Sequence, residues 1–283
     1  MDDELFDLLY HIAHRLWPKR EPRVQYAGRL IVLLYLWSAI RNKPMGWACD
    51  RRNLPRALAG RPIPSRSQLG RRLCGHDIVA MLDELEQALS DLHVAGLIGL
   101  WLIDAKPLTV SPYSKDKAAR WGWAYNGKAR GYKLFMVTDA NGQVVAWRVD
   151  GMNKAEPEVA KVLIDRLDRP GYLIGDSIYD SNPLHVLTAE RQVQLIAPRK
   201  QPGTGLGHGT THQPNRLHAI AMLECFNNRL GPTLYARRTG IERGFARLAS
   251  SRVGLDRLPP FVRTPKRVRR WVQAKIILYA LTQ

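Results

Sequence analysis

Apolar residues in the first hundred positions recur at helical spacing. Leu5, Leu8, Leu9, Ile12 and Leu16 fall three to four residues apart, which paints one apolar face on a helix. Residues 30–40 form an apolar run broken only by Ser38 and suit a buried helix. Pro44, Pro55, Pro62 and Pro64 punctuate the next stretch, up to Ser65-Arg66-Ser67-Gln68, where serine and glutamine three residues apart mark a capping box. The helix opened there carries Arg66, Arg71 and Arg72 beside Leu69 and Leu73, and a longer amphipathic helix runs over 78–92. Such a compact, partly basic helical region accommodates a helix-turn-helix reading head, though three arginines on a short helix equally suit a solvated face.

From residue 97 the pattern changes. Short apolar runs at 99–104, 132–138 and 144–149 read as strands, the last two joined through the hairpin pair Asn141-Gly142. A helix at 156–167, a strand at 172–174, a helix at 183–190 and a strand at 193–197 come next. Residues 199–215, rich in Gly, Pro and His, read as an exposed loop, and helices resume near 216–228, 235–250 and 266–281. This order predicts an α/β domain, a mixed sheet flanked by helices, over 97–283, preceded by an all-helical domain over 1–96. No internal repeat is present.

With 283 residues, 45% apolar and 24% charged, the chain has the makeup of a globular protein, which excludes a disordered tail or a low-complexity polymer. Charge alters the picture more. Lys and Arg number 43 against 25 Asp and Glu, a net +18, and residues 199–283 alone hold 16 basic and 3 acidic side chains. Such an excess points to a polyanion, nucleic acid ahead of an anionic membrane surface. Cys49, Cys74 and Cys225 form no metal-like or disulfide-like spacing and fit a reducing compartment. The acidic start Met1-Asp2-Asp3-Glu4 does not resemble a secretory leader, and no apolar run approaches the ~20 residues a bilayer needs. A soluble, intracellular protein without membrane partners is expected.

Three acids stand out. Asp104 and Asp176 each lie at or near the end of a short apolar strand, where ligands of open α/β sheets gather; a strand-end Asp also serves as a helix cap. Glu242 is the only acid in 225–255, among six arginines, and on a helix it shares a face with Tyr235 and Arg238. A simple Arg238–Glu242 pair accounts equally well for that spacing. If Asp104, Asp176 and Glu242 converge, their mutual repulsion calls for cations. Two Mg²⁺ ions, or Mn²⁺ in their place, would then clamp the attacking and leaving oxygens of a displacement at DNA phosphate.

At these positions the chain resembles the DDE transposases of bacterial insertion sequences, in the ribonuclease-H-like superfamily and the group with a Tyr-(2)-Arg-(3)-Glu-(6)-Lys signature. Ile103-Asp104-Ala105-Lys106-Pro107, Gly131-Tyr132-Lys133-Leu134, Gly175-Asp176-Ser177-Ile178 and Tyr235, Arg238, Glu242 carry the likeness over residues 97–281. It departs at Ala249, where the signature has lysine, at Phe135, where His is frequent, and at Ser177-Ile178, where Lys-Gly is common. The resemblance implies metal ligation and catalysis by Asp104, Asp176 and Glu242, with Tyr235 and Arg238 on DNA near the scissile phosphate. It implies cleavage at terminal inverted repeats, joining of freed 3′ ends to target DNA, and a dimer in a synaptic complex at the bacterial nucleoid. Lys106, Lys133, Arg243 and the basic run Lys266, Arg267, Arg270 are expected to contact the DNA backbone.

Trp121, Trp123 and Tyr125, amid Lys115, Lys117, Arg120, Lys128 and Arg130, suit a loop stacking on an unpaired base, or else core packing or a hairpin flap. His208, His212 and His218 lack ligand spacing and are taken as surface residues. Competing functions are a nuclease that cuts without rejoining and a non-catalytic DNA-binding derivative.

Overall fold

The computed structural model describes residues 2–18, 24–92, 98–125, 127–202, 212–225 and 227–283. Its contacts divide the chain into two compact units, residues 1–93 with 248–283, and residues 94–247. The last 36 residues, expected with the sheet, thus pack with the helical region instead. His208 lies outside the described residues.

In the helical unit, α1 (Asp2–Leu16) lays Phe6, Leu9 and Ala13 inward, and α2 (Gly28–Ile40) is buried throughout Ile31–Ile40. Phe6 meets Trp37 edge-on at 5.2 Å. The expected capping box opens α3 (Arg66–Arg72): Ser65 Oγ accepts from the Gln68 amide and Gln68 Oε1 from the Ser65 amide. Four apolar residues of α4 (His76–Ser90), Ile78, Leu82, Leu85 and Leu89, form its buried stripe. The C-terminal helix (Pro265–Ala280) is buried from Trp271 to Tyr279, and an element buried on every side needs several neighbours; α2 and α4 are among them. Its Lys275 is fully buried, and the ammonium donates to Ala39 O and Asn42 Oδ1, each at 2.7 Å, and to Val253 O. Leaving those acceptors unmatched would cost about 1–3 kcal/mol apiece.

The second unit is built on a six-stranded mixed sheet. Its strands are β1 (Gly99–Thr109), β2 (Arg120–Ala124), β3 (Gly127–Asp139), β4 (Val144–Gly151), β5 (Gly171–Ile174) and β6 (Val193–Ile196). β3 runs antiparallel to β1 along one edge, and along the other its first part pairs with β2 and its second with β4. β1 continues parallel to β5, and β5 parallel to β6. β2 is a strand where the sequence left a loop, hairpin or core segment open. Between β4 and β5 runs α5 (Glu156–Ile164), and between β5 and β6 runs α6 (Asn182–Glu190). They cover the face carrying Trp101, Ile103, Phe135 and Leu173 with Val159, Leu163 and Leu184. After β6 come α7 (Pro214–Glu224), α8 (Leu230–Ala236) and α9 (Thr239–Ala249). The single helix expected at 235–250 is two, broken at Arg237-Arg238. This is the mixed α/β, ribonuclease-H-like arrangement with a helical N-terminal region. Among the described residues, no helix is long and apolar enough to cross a membrane.

The loop after β5 is held by a buried ion pair. Arg216 on α7 forks onto Asp180, Nε to Oδ1 and Nη2 to Oδ2, both at 2.7 Å, while its Nη1 reaches Asn182 Oδ1 at 3.2 Å. Burial alone would push the Asp180 carboxyl up, but the Arg216 fork, with His185 and the Lys200 amide, holds it well below the usual carboxylate range. Removing one partner strands the other. Arg216→Ala should lower stability by about 3 kcal/mol in chemical denaturation at neutral pH; a change below ~0.5 kcal/mol would contradict the anchoring role.

Candidate active site

The site grows from the register of β1 and β5. Leu102 pairs with Ile174, so Asp104 and Asp176 each lie two residues beyond a matched pair, on adjacent parallel chains. At that level β5 ends while β1 runs on beside β3, which opens a fork in the sheet, the place where α/β folds receive ligands. Asp176 Oδ1 accepts from the Ile178 amide at 2.9 Å, capping the short turn 177–179. α9 brings the third acid from the opposite face. Gly240 makes this approach feasible, because a Cβ there would come 2.8 Å from Leu102 Cδ1. Ile241 and Phe245 bury the inner side of α9, leaving Glu242 in its first turn at the rim.

Asp104, Asp176 and Glu242 thereby line one cleft of about 520 Å³, with Lys106, Tyr125, Glu156, Arg238 and Phe245 among its other walls. Arg238 stands at the break between α8 and α9, its Nη1 2.7 Å from Glu242 Oε1 and its Nη2 3.8 Å from Asp104 Oδ2. The i,i+4 pair foreseen as the plain alternative is therefore present, and the same guanidinium extends to the first aspartate. Its Nε is buried without a hydrogen-bond partner.

The electrostatics follow first from burial. Burial drives the Asp104 carboxyl up to about 6; the Ala105 amide and Arg238 oppose this, while Asp176 and Glu156 add to it. The buried Tyr179 hydroxyl is pushed well above its ordinary value, by burial first and then by the charges of Glu156, Asp104 and Asp176. In both groups burial leads and the neighbouring carboxylates add to it. Among the described residues no three His, Cys, Asp or Glu side chains already form a cage for a metal ion. The donor set is nonetheless hard oxygen, facing one cleft, short of positive charge, which suits a small divalent cation.

The other expected contacts separate. Lys106 is buried in the cleft wall, with its Nζ 5.8 Å from the Tyr125 ring centre. Lys133 is only 12% exposed and pairs with Glu156 at 2.9 Å, so its ammonium holds that carboxylate rather than facing solvent as a backbone contact. Arg243 is exposed on α9, and Tyr235 lies on α8 near Arg238 but does not line the cleft. Lys266, Arg267 and Arg270 belong to the helical unit, where the first two are exposed. Arg270 is half-buried and reaches Cys74 Sγ at 3.7 Å. In that unit Arg66, Arg71 and Arg267 share one groove of about 740 Å³ with Ser65, Ser67 and Cys74.

The sequence did not point to Glu156. It reads there as the start of a helix, and acids are common in a first turn. Only the fold shows it entering the cleft, held by Lys133 and by the Tyr179 hydroxyl, which donates to Oε2 at 3.2 Å. The signal within the sequence was its position directly after the hairpin, at the sheet end that also carries Asp176.

Comparison with known proteins bears on this cleft. Residues 97–281 match the family model described as the transposase DDE domain, well over half of the chain. No characterised protein matches it at a significant level.

Because the Asp104 carboxyl is raised, the folded protein retains a proton that the unfolded chain releases between about pH 4 and 6. Stability therefore falls as pH rises through that window, and the penalty persists above it. Asp104→Asn should stabilise the protein at pH 8 by up to about 3 kcal/mol, with the gap closing below pH 4. Thermal melts across this range check it. A variant no more stable than the parent at pH 8 would contradict the burial penalty on the Asp104 carboxylate.

Proposed function

The chain belongs to the DDE transposase family, whose domains use divalent metal ions to process DNA, and from that premise we propose that it is the transposase of a bacterial insertion sequence. In this reading it hydrolyses a phosphodiester at each end of its element and transfers the freed 3′-hydroxyl into target DNA. The observation that carries the reading is the meeting of Asp104, Asp176 and Glu242 in one cleft beside Arg238 and Lys106. Tyr235, Arg238 and Glu242 keep the spacing of the Tyr-Arg-Glu-Lys group, with Ala249 in the place of its lysine.

Asp104, Asp176 and Glu242 would hold two divalent ions, Mg²⁺ or Mn²⁺. When bound, these supply activation of the attacking oxygen and stabilisation of the departing 3′-oxygen. The chain's own groups do the rest. Arg238, with a free buried Nε, orients a phosphate oxygen once its hold on Glu242 loosens. Lys106 adds positive charge from the wall, and Lys133 keeps Glu156 from repelling Asp104 further. Phe245 and Tyr125 limit water at the reacting phosphate.

The groove bearing Arg66, Arg71 and Arg267 supports duplex binding by the helical unit, since none of the three makes an ion pair among the described residues. The partners in this reading are double-stranded DNA with terminal inverted repeats and target DNA, engaged by a dimer in a synaptic complex on the nucleoid in the cytoplasm. All three acids are retained, which weighs against a non-catalytic derivative. Joining separates transposase from nuclease.

Glu242→Gln should cut divalent-dependent cleavage of element ends about a hundredfold or more while leaving duplex affinity within about threefold. Cleavage at the parent rate would remove Glu242 from the site. Supplied with pre-cut ends, the parent protein should form joined products, and cleavage with no joining would favour the nuclease. Replacing Arg66, Arg71 and Arg267 with alanine should weaken duplex binding and flatten the slope of log K against log salt by roughly 0.9 for each phosphate no longer bound. An unchanged slope would exclude the groove.

A further inference from the structure

The fold leaves one conspicuous surface outside the catalytic scheme. Along β2, side chains alternate between faces, so Trp121 and Trp123 project to the same side about 7 Å apart, and Tyr125 follows in the turn. Their exposures are 67%, 70% and 73%, large for aromatic rings that could have been buried. The opposite side of the strand is fixed. Gly122 lies so close to the Met152 backbone that a Cβ would sit 2.3 Å from its carbonyl oxygen, and all of β2 is registered on β3. The row is therefore presented by a rigid element.

Its surroundings are cationic. Across the ladder Trp123 faces Lys128 and Trp121 faces Arg130, while Arg120 belongs to the opposite face with Gly122, where it lies against Gly151. Arg130 is tied to the carbonyls of Ala119, Ser114 and Asp116, which leaves Lys128 as the outward charge on the aromatic face. The row also has a direction. Tyr125 at one end lines the cleft with Asp104 and Asp176, and the two tryptophans lead away from it along the strand.

Exposed rings beside a cation, continuous with a cleft for DNA phosphate, match the chemistry of single-stranded nucleic acid. Bases within a duplex are already stacked and paired, so flat rings in a row find partners only among unpaired bases. We propose that the outer face of β2 is a stacking platform for an unpaired DNA strand as it leaves the cleft, with Trp121 and Trp123 each taking one base and Lys128 following the phosphates. This rests on the reading of the cleft as a site of DNA cleavage. A β2 edge paired with a second copy of the chain is the competing occupant, disfavoured by the charged side chains along the ribbon.

The experiment uses the full chain and three probes of equal length: oligo-dT, a blunt duplex, and a duplex with a ten-nucleotide single-stranded overhang. Fluorescence anisotropy gives affinity, and tryptophan quenching reports stacking. The parent protein should bind oligo-dT with quenching and prefer the overhang to the blunt duplex. Trp121→Ala with Trp123→Ala should weaken binding to oligo-dT and to the overhang about thirtyfold or more, and blunt-duplex binding by less than about twofold. Its melting temperature should hold, because the rings are exposed. Phenylalanine at both positions should restore most of the affinity. Parent-like oligo-dT binding by the alanine variant would overturn the platform, as would equal losses on all three probes. A dimer in sedimentation that the alanine variant converts to monomer, with oligo-dT affinity unchanged, would assign the face to self-association instead. Cleavage reports separately on the active-site reading: stacking without any divalent-dependent cleavage would sink that reading alone, and cleavage without stacking would sink the platform alone.

Discussion

Four carboxylates facing a cleft whose walls are partly buried set the terms for the second unit. Asp104, Asp176, Glu156 and Glu242 share that cleft, and carboxylates held so close repel one another. The chain offsets this with a small number of cations. Lys133 is committed to Glu156, and Arg238 is divided between Glu242 and Asp104. Asp176 receives a backbone amide. Burial still lifts the Asp104 carboxyl to about 6, against the Ala105 amide and Arg238 and with smaller additions from Asp176 and Glu156. Sites with this kind of imbalance usually exist to be completed by something positive.

The fold places the acids where the imbalance arises. A parallel pair, β1 with β5, sets two aspartates at one level; the antiparallel partner β3 carries β1 past the end of β5 and opens the fork. α9 closes the third side through the bare surface of Gly240. Away from the cleft, the Asp180–Arg216 fork fixes the turn that comes after Asp176. Under the proposed reading, Arg238 occupies between Asp104 and Glu242 the kind of position a metal ion would take, and DNA phosphate offers the guanidinium another partner. Substrate and cation binding would then be coupled through one side chain.

Much of this was legible in the chain. Short apolar runs marked β1, β5 and β6, because those strands bury residues on both faces, and helical spacing marked the helices around them. Asp176 was visible as a strand-end acid and Glu242 as a lone acid among arginines, whereas Asp104, read as the end of a strand at 99–104, lies inside β1, which continues beside β3 to Thr109. What stayed hidden depended on distance in space. Glu156 looked like an ordinary first-turn acid until the sheet brought it to Asp104. Lys133 looked like a free cation until Glu156 claimed it. The chain breaks at 237–238 where periodicity alone would continue one helix, since Leu234, Ile241 and Phe245 keep the apolar spacing across the break. The C-terminal helix followed the sheet in sequence, yet its burial from Trp271 to Tyr279 required the helices α2 and α4. The segment of β2 was left open between a loop, core packing and a hairpin flap because its outward face is aromatic, the reverse of the usual polar exterior; it is a hairpin with β3.

The central claim is that the Asp104, Asp176 and Glu242 carboxylates jointly bind divalent metal over DNA. Anomalous diffraction at the manganese edge, from crystals of the protein with Mn²⁺ and a cut element end, addresses it most directly. The account predicts two peaks about 3.5–4 Å apart, ligated by these three side chains, with Glu242 released from Arg238 and Arg238 on phosphate. Manganese bound elsewhere, or Glu242 still held by Arg238 with DNA in the cleft, would contradict it.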